Sequence, residues 1–338
     1  MRFHDGIQAQ PDVLAASASS IRAGLADVAP LPAGALVSLI GIGASEHAAF
    51  SAAATWRGLG IRAIAQSSSE FLGETLPVAD VHVALSESGR SAETLKALES
   101  ITSRTVGITN GPDSPLVTAT TNCLLLGSGP DSPVYTTGYT ATLQALGLLG
   151  EHWSGTHTDW DALPGMVRSV IDASEGVIAN LATAFDGVEI IDVIGTRAST
   201  ASAGEGALML REGARAHTAA HETQNFLHGP MEPLDGRMAC VVIGGGRELQ
   251  LAHDTAVIGA PTLLITDSAE VPSHDLLHVI RLPKTSSLLA RAVLEILPMQ
   301  VLVRQLADMR GLGVDGFRYR QHDTKIGEVL QRASDARD

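Results

Sequence analysis

The stretch Val83-Ala84-Leu85-Ser86-Glu87-Ser88-Gly89-Arg90-Ser91-Ala92-Glu93-Thr94 holds the reading on which the rest depends. An apolar run ends in a loop of small residues, and a helix-forming run begins at once. Three hydroxyls and the free amides of a helix start converge there, and the helix dipole favours an anion at that end. Gly89 permits the tight turn. Strand, loop and helix in immediate succession are the unit of an open parallel α/β sheet, which gathers ligands at the C-terminal ends of its strands. An ordinary serine-capped helix gives the same local pattern, so the surrounding sequence has to decide.

Outward from this loop, strand-like and helix-like segments alternate. A helical lead over about 11–28 precedes a strand at 35–42, a helix at 46–57 and a second strand at 61–66. After the loop and the helix opening near Ser91 come strands at 105–109 and 123–126, then a helix over 137–150. Short apolar strands separated by helices imply a parallel sheet covered on both faces. The polar, turn-rich run 154–164 reads as a connection between residues 1–153 and residues 165–338. Beyond it a helix over 165–184 leads to strands at 188–194, 239–243, 262–266 and 279–282. A helix over 199–215 follows the first of these, placing His217 and His221 near its end, and a last helix covers 287–310. The halves echo each other: Ile40-Gly-Ile-Gly-Ala-Ser45 and Ile194-Gly-Thr-Arg-Ala-Ser199 each end a strand before an Ala-rich helix. Such self-similarity points to duplication of one α/β unit.

Composition narrows the partners. Of 338 residues, 45% are hydrophobic and only 4% aromatic, so the cores are aliphatic. A net charge of −14 with no basic run argues against nucleic acid and against an anionic membrane surface, both of which need a cationic footprint. A small anion remains compatible, since backbone amides can hold phosphate without an excess of Lys or Arg. Cys123 and Cys240 lie beside apolar runs and read as buried thiols rather than a disulfide or metal pair. No signal-peptide pattern opens the chain and no apolar run reaches the ~18 residues of a spanning helix, so the cytoplasm is the expected compartment. The histidine spacings match no metal motif, and neither a metal nor another cofactor is assigned.

A second constellation lies in Ala203-Gly-Glu-Gly-Ala-Leu-Met-Leu-Arg-Glu-Gly-Ala-Arg-Ala-His217, followed by Leu227-His228-Gly229-Pro230. Glu205 and Glu212 share a helix, and Gly-Pro forces a turn that can present the imidazole of His228. Aldose–ketose chemistry needs a carboxylate to move a proton between C1 and C2 and a second group to open the ring. Glu212 and His228 meet that need; a solvated helix carboxylate and a loop histidine are the plainer alternative.

Together these motifs resemble the sugar isomerase (SIS) domain family, in particular the isomerase half of glucosamine-6-phosphate synthase. Ser86-x-Ser88-Gly-x-Ser91-x-Glu-Thr94 is similar to its phosphate loop. Glu205-Gly-Ala-x-x-Leu-Arg-Glu212 with His228-Gly-Pro is similar to the signature of its second domain. Gln10-Pro-Asp-Val-Leu14 and Gly129-Pro-Asp-Ser-Pro-Val-Tyr-Thr-Thr137 extend the likeness over nearly the whole chain. The resemblance implies two tandem doubly wound, flavodoxin-like SIS domains with parallel five-stranded sheets. It implies phosphate binding by Ser45, Ser86, Ser88, Ser91 and Thr136, proton transfer by Glu212, and ring opening by His228 reaching a partner subunit's site. A homodimer with shared active sites follows from that last role.

Three positions depart from the family. Glu87 replaces a Gln, and is compatible with phosphate when turned away or neutralised by Arg90. Met209 replaces a Lys. The family's tail lysine, able to form a Schiff base with an open-chain ketose, corresponds to His322 in direct register or to Lys325 after a three-residue shift; Lys325 is preferred because imidazole forms no imine. No glutaminase block precedes the two domains, so glutamine hydrolysis is not expected. The functional expectation is a phosphosugar isomerase or amino-sugar-phosphate deaminase, with a fructosamine-6-phosphate deglycase or a non-catalytic sugar-phosphate sensor as the alternatives.

Overall fold

The computed structural model describes residues 1–73, 78–314, 316–319, 321 and 323–326. The first unit opens with α1 (Phe3–Leu25), followed by β1 (Leu36–Gly41), α2 (Ala44–Gly58), β2 (Arg62–Ser67), β3 (Val81–Leu85), α3 (Ala92–Ser100), β4 (Arg104–Thr109), α4 (Pro115–Ala119), β5 (Asn122–Leu125) and α5 (Thr137–Ser154). The second comprises α6 (Leu163–Asp186), β6 (Ile190–Gly195), α7 (Ser199–Glu212), β7 (Thr218–Glu222), α8 (Thr223–Leu227), β8 (Met238–Ile243), α9 (Arg247–Ile258), β9 (Thr262–Thr266), β10 (Leu277–Arg281) and α10 (Leu288–Met309).

Both sheets have five strands, ordered β2-β1-β3-β4-β5 and β10-β9-β8-β6-β7, and every strand pair is parallel. Read from the β7 edge, the second order matches the first: the strand after the opening one lies outside it, and the chain then turns back to the other side. This is the doubly wound flavodoxin-like arrangement, whose ligands gather where the winding reverses. The reversal falls between β1 and β3 in the first sheet and between β6 and β8 in the second. The central strands β3, β8 and β9 are buried along their whole length because both of their faces are covered; most of their residues are apolar, with His82, Thr262 and Thr266 buried among them.

The echo between the halves extends to the backbone. Gly43 has φ 60° and Arg197, at the equivalent place after β6, has φ 54°. Two residues earlier, a Cβ on Gly41 would come within 2.7 Å of the Ser45 backbone, and one on Gly195 within 2.4 Å of the Ser199 carbonyl oxygen. Each strand therefore ends in a residue without a side chain so that the following helix can fold back over it.

Two expectations are corrected. The helix expected over 199–215 stops at Glu212, and residues 218–222 form the edge strand β7, which pairs only with β6. His221 thus lies in a strand, where its Nε2 meets Asp192 Oδ1 at 3.2 Å. The N-terminal helix also starts earlier than expected and carries Pro11 inside it. Its neighbour Gln10 is fully buried and joins three helices: its amide nitrogen donates to Gln300 of α10 at 2.7 Å, and its oxygen accepts from Thr140 of α5 at 2.9 Å.

One hydrophobic cluster runs through both units, from Leu14 and Ile21 of α1 through Leu146 of α5 and Ile178 of α6 to Leu297 of α10. Cys240 is buried, Cys123 half-buried, and neither is in a disulfide. No helix among the described residues is long and apolar enough to cross a membrane.

Candidate active site

The loop after β3 is built to present hydroxyls. Its turn closes through the Gly89 amide donating to the Ser86 carbonyl at 2.9 Å. Gly89 has φ 65°, and a Cβ there would overlap Ser114 Oγ at 1.9 Å, so no other residue fits. Ser91 is the N-cap of α3, and its hydroxyl lies 3.0 Å from that of Ser86. Ser86 Oγ also accepts the Ser91 amide at 3.3 Å, and Ser88 Oγ accepts the Arg90 amide at 3.3 Å. β1 pairs with β3 in the register Ile40↔Ala84, so the loop after Gly41 sits beside the loop after Leu85. Ser45 is in the first turn of α2, at that neighbouring loop. Two helix N-termini and four serines thus share the crevice at the winding reversal, an arrangement that favours an anion.

Thr136 is placed differently. It is fully buried, and its hydroxyl donates to Asp131 Oδ1 at 2.6 Å. Asp131 Oδ2 also accepts the amides of Thr136 at 2.9 Å and Gly138 at 2.7 Å, so this carboxylate caps the N-terminus of α5. Thr136 therefore lies at the start of α5 with its hydroxyl and amide on Asp131.

Glu87 is turned away from the hydroxyl cluster. Its Oε1 accepts from Asn110 Nδ2 at 3.1 Å, its carboxyl is hydrogen-bonded to Tyr135, and its Cγ packs where a Cβ on Gly138 would come within 2.7 Å. Burial first, and the charge of Asp131 second, push its carboxyl above the ordinary range; Asn110, Lys325 and Tyr135 oppose that. The cation acting on Glu87 is therefore Lys325, while Arg90 reaches the Ile326 carbonyl at 3.5 Å. The tail returns to this loop as a short antiparallel bridge, Ser91 to Lys325. The Ala92 amide donates to the Thr324 carbonyl at 3.0 Å and the Ile326 amide to the Arg90 carbonyl at 2.9 Å. Lys325 is thereby brought to the serine loop; His322 lies outside the described residues.

Glu212 closes α7. The next residue, Gly213, packs so tightly on α10 that a Cβ would come within 2.4 Å of Val303. Arg211 on the same turn donates to the Thr218 carbonyl through Nε at 3.0 Å, tying the helix end to β7. Glu212 is half-buried, and burial pushes its carboxyl up to about 7. Two turns back on the same face, Glu205 is 1% exposed and its Oε2 has no hydrogen-bond partner among the described residues. Burial, and then the charge of Glu212, raise its carboxyl well above the ordinary range. Burial thus raises both carboxyls, and Glu212, at about 7, is poised as a base near neutral pH.

His228 is exposed at the end of α8. Glu222 caps that helix by accepting the Asn225 amide at 2.9 Å, and fully buried Phe226 anchors it against the His221 ring, with centroids 5.2 Å apart. His221 is in turn held by Asp192, so the imidazole of His228 stands on a rigid base facing outward. The structure thus gathers Ser45, Ser86, Ser88, Ser91 and Lys325 at the C-terminal edge of the first sheet. Glu212 sits on the second unit, and His228 on its surface.

Sequence reasoning missed Asp131 and His47. Asp131 precedes its helix by six residues, outside the capping window. His47 packs its ring against α7 where a Cβ on Gly204 would approach within 2.6 Å, and burial lowers its pKa to about 4. The signal for His47 was its position two residues after Ser45 on a helix that joins the two units. Among the described residues, no group of three or more His, Cys, Asp or Glu side chains is arranged to hold a metal ion.

Comparison with known proteins matches this architecture. The SIS domain profile fits residues 37–151 and again residues 188–308. A glutamine–fructose-6-phosphate aminotransferase (isomerizing) of Pyrobaculum aerophilum is 28% identical over 330 residues, covering 91% of this chain and 55% of the relative. The human form 2 of that enzyme is 28% identical over 302 residues, covering 82% of this chain and 44% of its own length. The chain thus spans about half the length of the curated relatives it matches. Among solved structures, glucosamine-6-phosphate deaminase from Thermotoga maritima superimposes with a TM-score of 0.81 at 20% identity, over 96% of this chain and 99% of that one. Tagatose-6-phosphate ketose/aldose isomerase from Escherichia coli gives 0.73 at 18% identity, over 93% and 94%. With both matched segments coinciding with the two parallel sheets, the chain belongs to the SIS domain family and carries two SIS domains in tandem.

Proposed function

We propose that this protein is a phosphosugar isomerase or amino-sugar-phosphate deaminase acting on an aldose/ketose pair of the glucosamine 6-phosphate and fructose 6-phosphate type. The observation that carries the reading is Glu212: a half-buried carboxyl at the end of α7 pushed up to about 7, two turns from the buried carboxyl of Glu205. Such a group exchanges protons readily near neutral pH, which is what transfer between C1 and C2 requires. Ser45, Ser86, Ser88 and Ser91 bind the phosphate at the N-termini of α2 and α3, and Thr136 supports them through its place at the start of α5. Lys325 supplies the amine for a Schiff base with the open-chain ketose. His228, exposed on its anchored turn, serves ring opening in the site of a partner subunit, so the working form is a homodimer.

The similar structures, one a glucosamine-6-phosphate deaminase and one a tagatose-6-phosphate ketose/aldose isomerase, support this class of chemistry. Proton NMR of the purified protein with glucosamine 6-phosphate, with and without ammonia, tests the reading. Fructose 6-phosphate should appear, with ammonia shifting the balance back if deamination is the reaction. Tight binding without any conversion would instead identify a sensor.

A further inference from the structure

We propose that the second domain retains the anion crevice of the first in a filled form: the chain's own Glu295 carboxylate occupies it, and one chain therefore takes one sugar phosphate. The sequence echo sets the comparison. When Ile40–Ser45 is laid on Ile194–Ser199, Ser199 of α7 stands where Ser45 of α2 stands, after a strand beside the winding reversal. Ser45 is half-buried, but Ser199 is buried and donates to Glu295 Oε1 at 2.7 Å. One turn on, Ser202 donates to Glu295 Oε2 at 2.6 Å. Arg291 Nε, also on α10, donates to Oε1 at 2.8 Å, and its Nη1 reaches Asp267 just beyond β9 at 3.2 Å.

Two hydroxyls and a guanidinium converging on one carboxylate are the donor set of an anion site. Here the anion is supplied from inside, and Arg291 is itself divided between Glu295 and Asp267, so these donors are all taken. Glu295 is 1% exposed and belongs to Leu294-Glu295-Ile296-Leu297, which matches Leu143-Gln144-Ala145-Leu146 of α5. The first domain thus has a neutral amide where the second has an acid. Burial pushes the Glu295 carboxyl above its ordinary range, and Arg291, Ser202 and Ser199 oppose that. Two further differences agree. The loop after β8 reads Gly244-Gly245-Gly246, where the loop after β3 offers the hydroxyls of Ser86 and Ser88. The alignment of Ser45 with Ser199 also puts Gly58 opposite Glu212, so the second crevice has no counterpart of the proposed base. The count of one sugar phosphate rests on the phosphosugar reading above; the filled crevice does not.

Chemical rescue tests the filling. Glu295→Ala removes a group the size of acetate. In thermal unfolding at matched ionic strength, sodium acetate in place of sodium chloride should raise the Tm of Glu295→Ala by roughly 2–4 °C at about ten times its Kd, and leave the wild type unmoved. Acetamide, of the same shape without the charge, should do far less. Ser199→Ala and Ser202→Ala added to that variant should weaken acetate binding at least about tenfold. If Glu295→Ala does not fold in chloride, refolding from urea in acetate reads the same rescue. Equal stabilisation by acetamide, or none by acetate, would overturn the proposal, as would calorimetry finding two glucosamine 6-phosphate molecules per wild-type chain. A chain that binds no sugar phosphate would overturn the functional reading alone, since the acetate rescue uses no sugar.

Discussion

Two glutamates seven residues apart on α7 show how burial assigns roles to identical side chains. Glu205 lies in the core, where burial raises its carboxyl well above the ordinary range, while Glu212, at the helix end, is poised at about 7. The folded-state pKa of Glu212 lies above the ordinary value of 4.5, so the folded chain takes up this proton more readily than the unfolded chain. Its ionised form therefore costs stability above pH 7, and that cost fades as pH falls toward 4.5. Urea unfolding of the wild type and Glu212→Gln across this range should show the variant more stable at pH 8, by about 1–3 kcal/mol, with the gap closing at acid pH. A gap independent of pH would contradict the assignment. Activity runs the other way: a base must be ionised, so kcat/KM should fall below pH 7.

At the scale of elements, the serine loop works because a strand end and a helix start are joined by six residues. Replacing Ser88 with Ala should weaken sugar-phosphate binding by about 1.5–3 kcal/mol in calorimetry, with little effect on the plain sugar. Equal losses for both ligands would remove the phosphate role. This loop was legible in the sequence because its parts are neighbours: an apolar strand, three hydroxyls, Gly89 and a helix N-terminus. The buried strands were legible for a similar reason, since cover on both faces leaves a continuous apolar run. Strand β7 was not legible. Thr218–Glu222 is an edge strand, mostly half-buried, with two histidine neighbours and no apolar run to separate it from the end of a helix. Pro11 misled in the same way, reading as a helix start when α1 absorbs it in its interior. The bridge of Lys325 to Ser91 and the contact of Thr136 with Asp131 depend on how loops return to the sheet edge, and no local pattern carries that.

Over the whole molecule, one hydrophobic cluster spans both domains, the one that carries the serines and the one that carries Glu212. Helices α2 and α7 meet at His47 and Gly204, an approach possible only without a side chain at 204. In the homodimer proposed above, the exposed His228 serves the site of the second copy. Mixing inactive Glu212→Gln with inactive His228→Ala protein, with subunit exchange verified by mass, should restore part of the activity, because one site of each mixed dimer keeps both groups. No recovery would count against a shared site.

The central claim is that Glu212 moves a sugar proton, and exchange of the substrate C2 proton with deuterated solvent tests it most directly. The wild type should catalyse exchange on its sugar phosphate. Glu212→Gln should bind nearly as well and exchange about 10²–10⁴-fold more slowly, the usual contribution of a general base. Exchange at the wild-type rate in Glu212→Gln, or none in the wild type despite binding, would contradict the account.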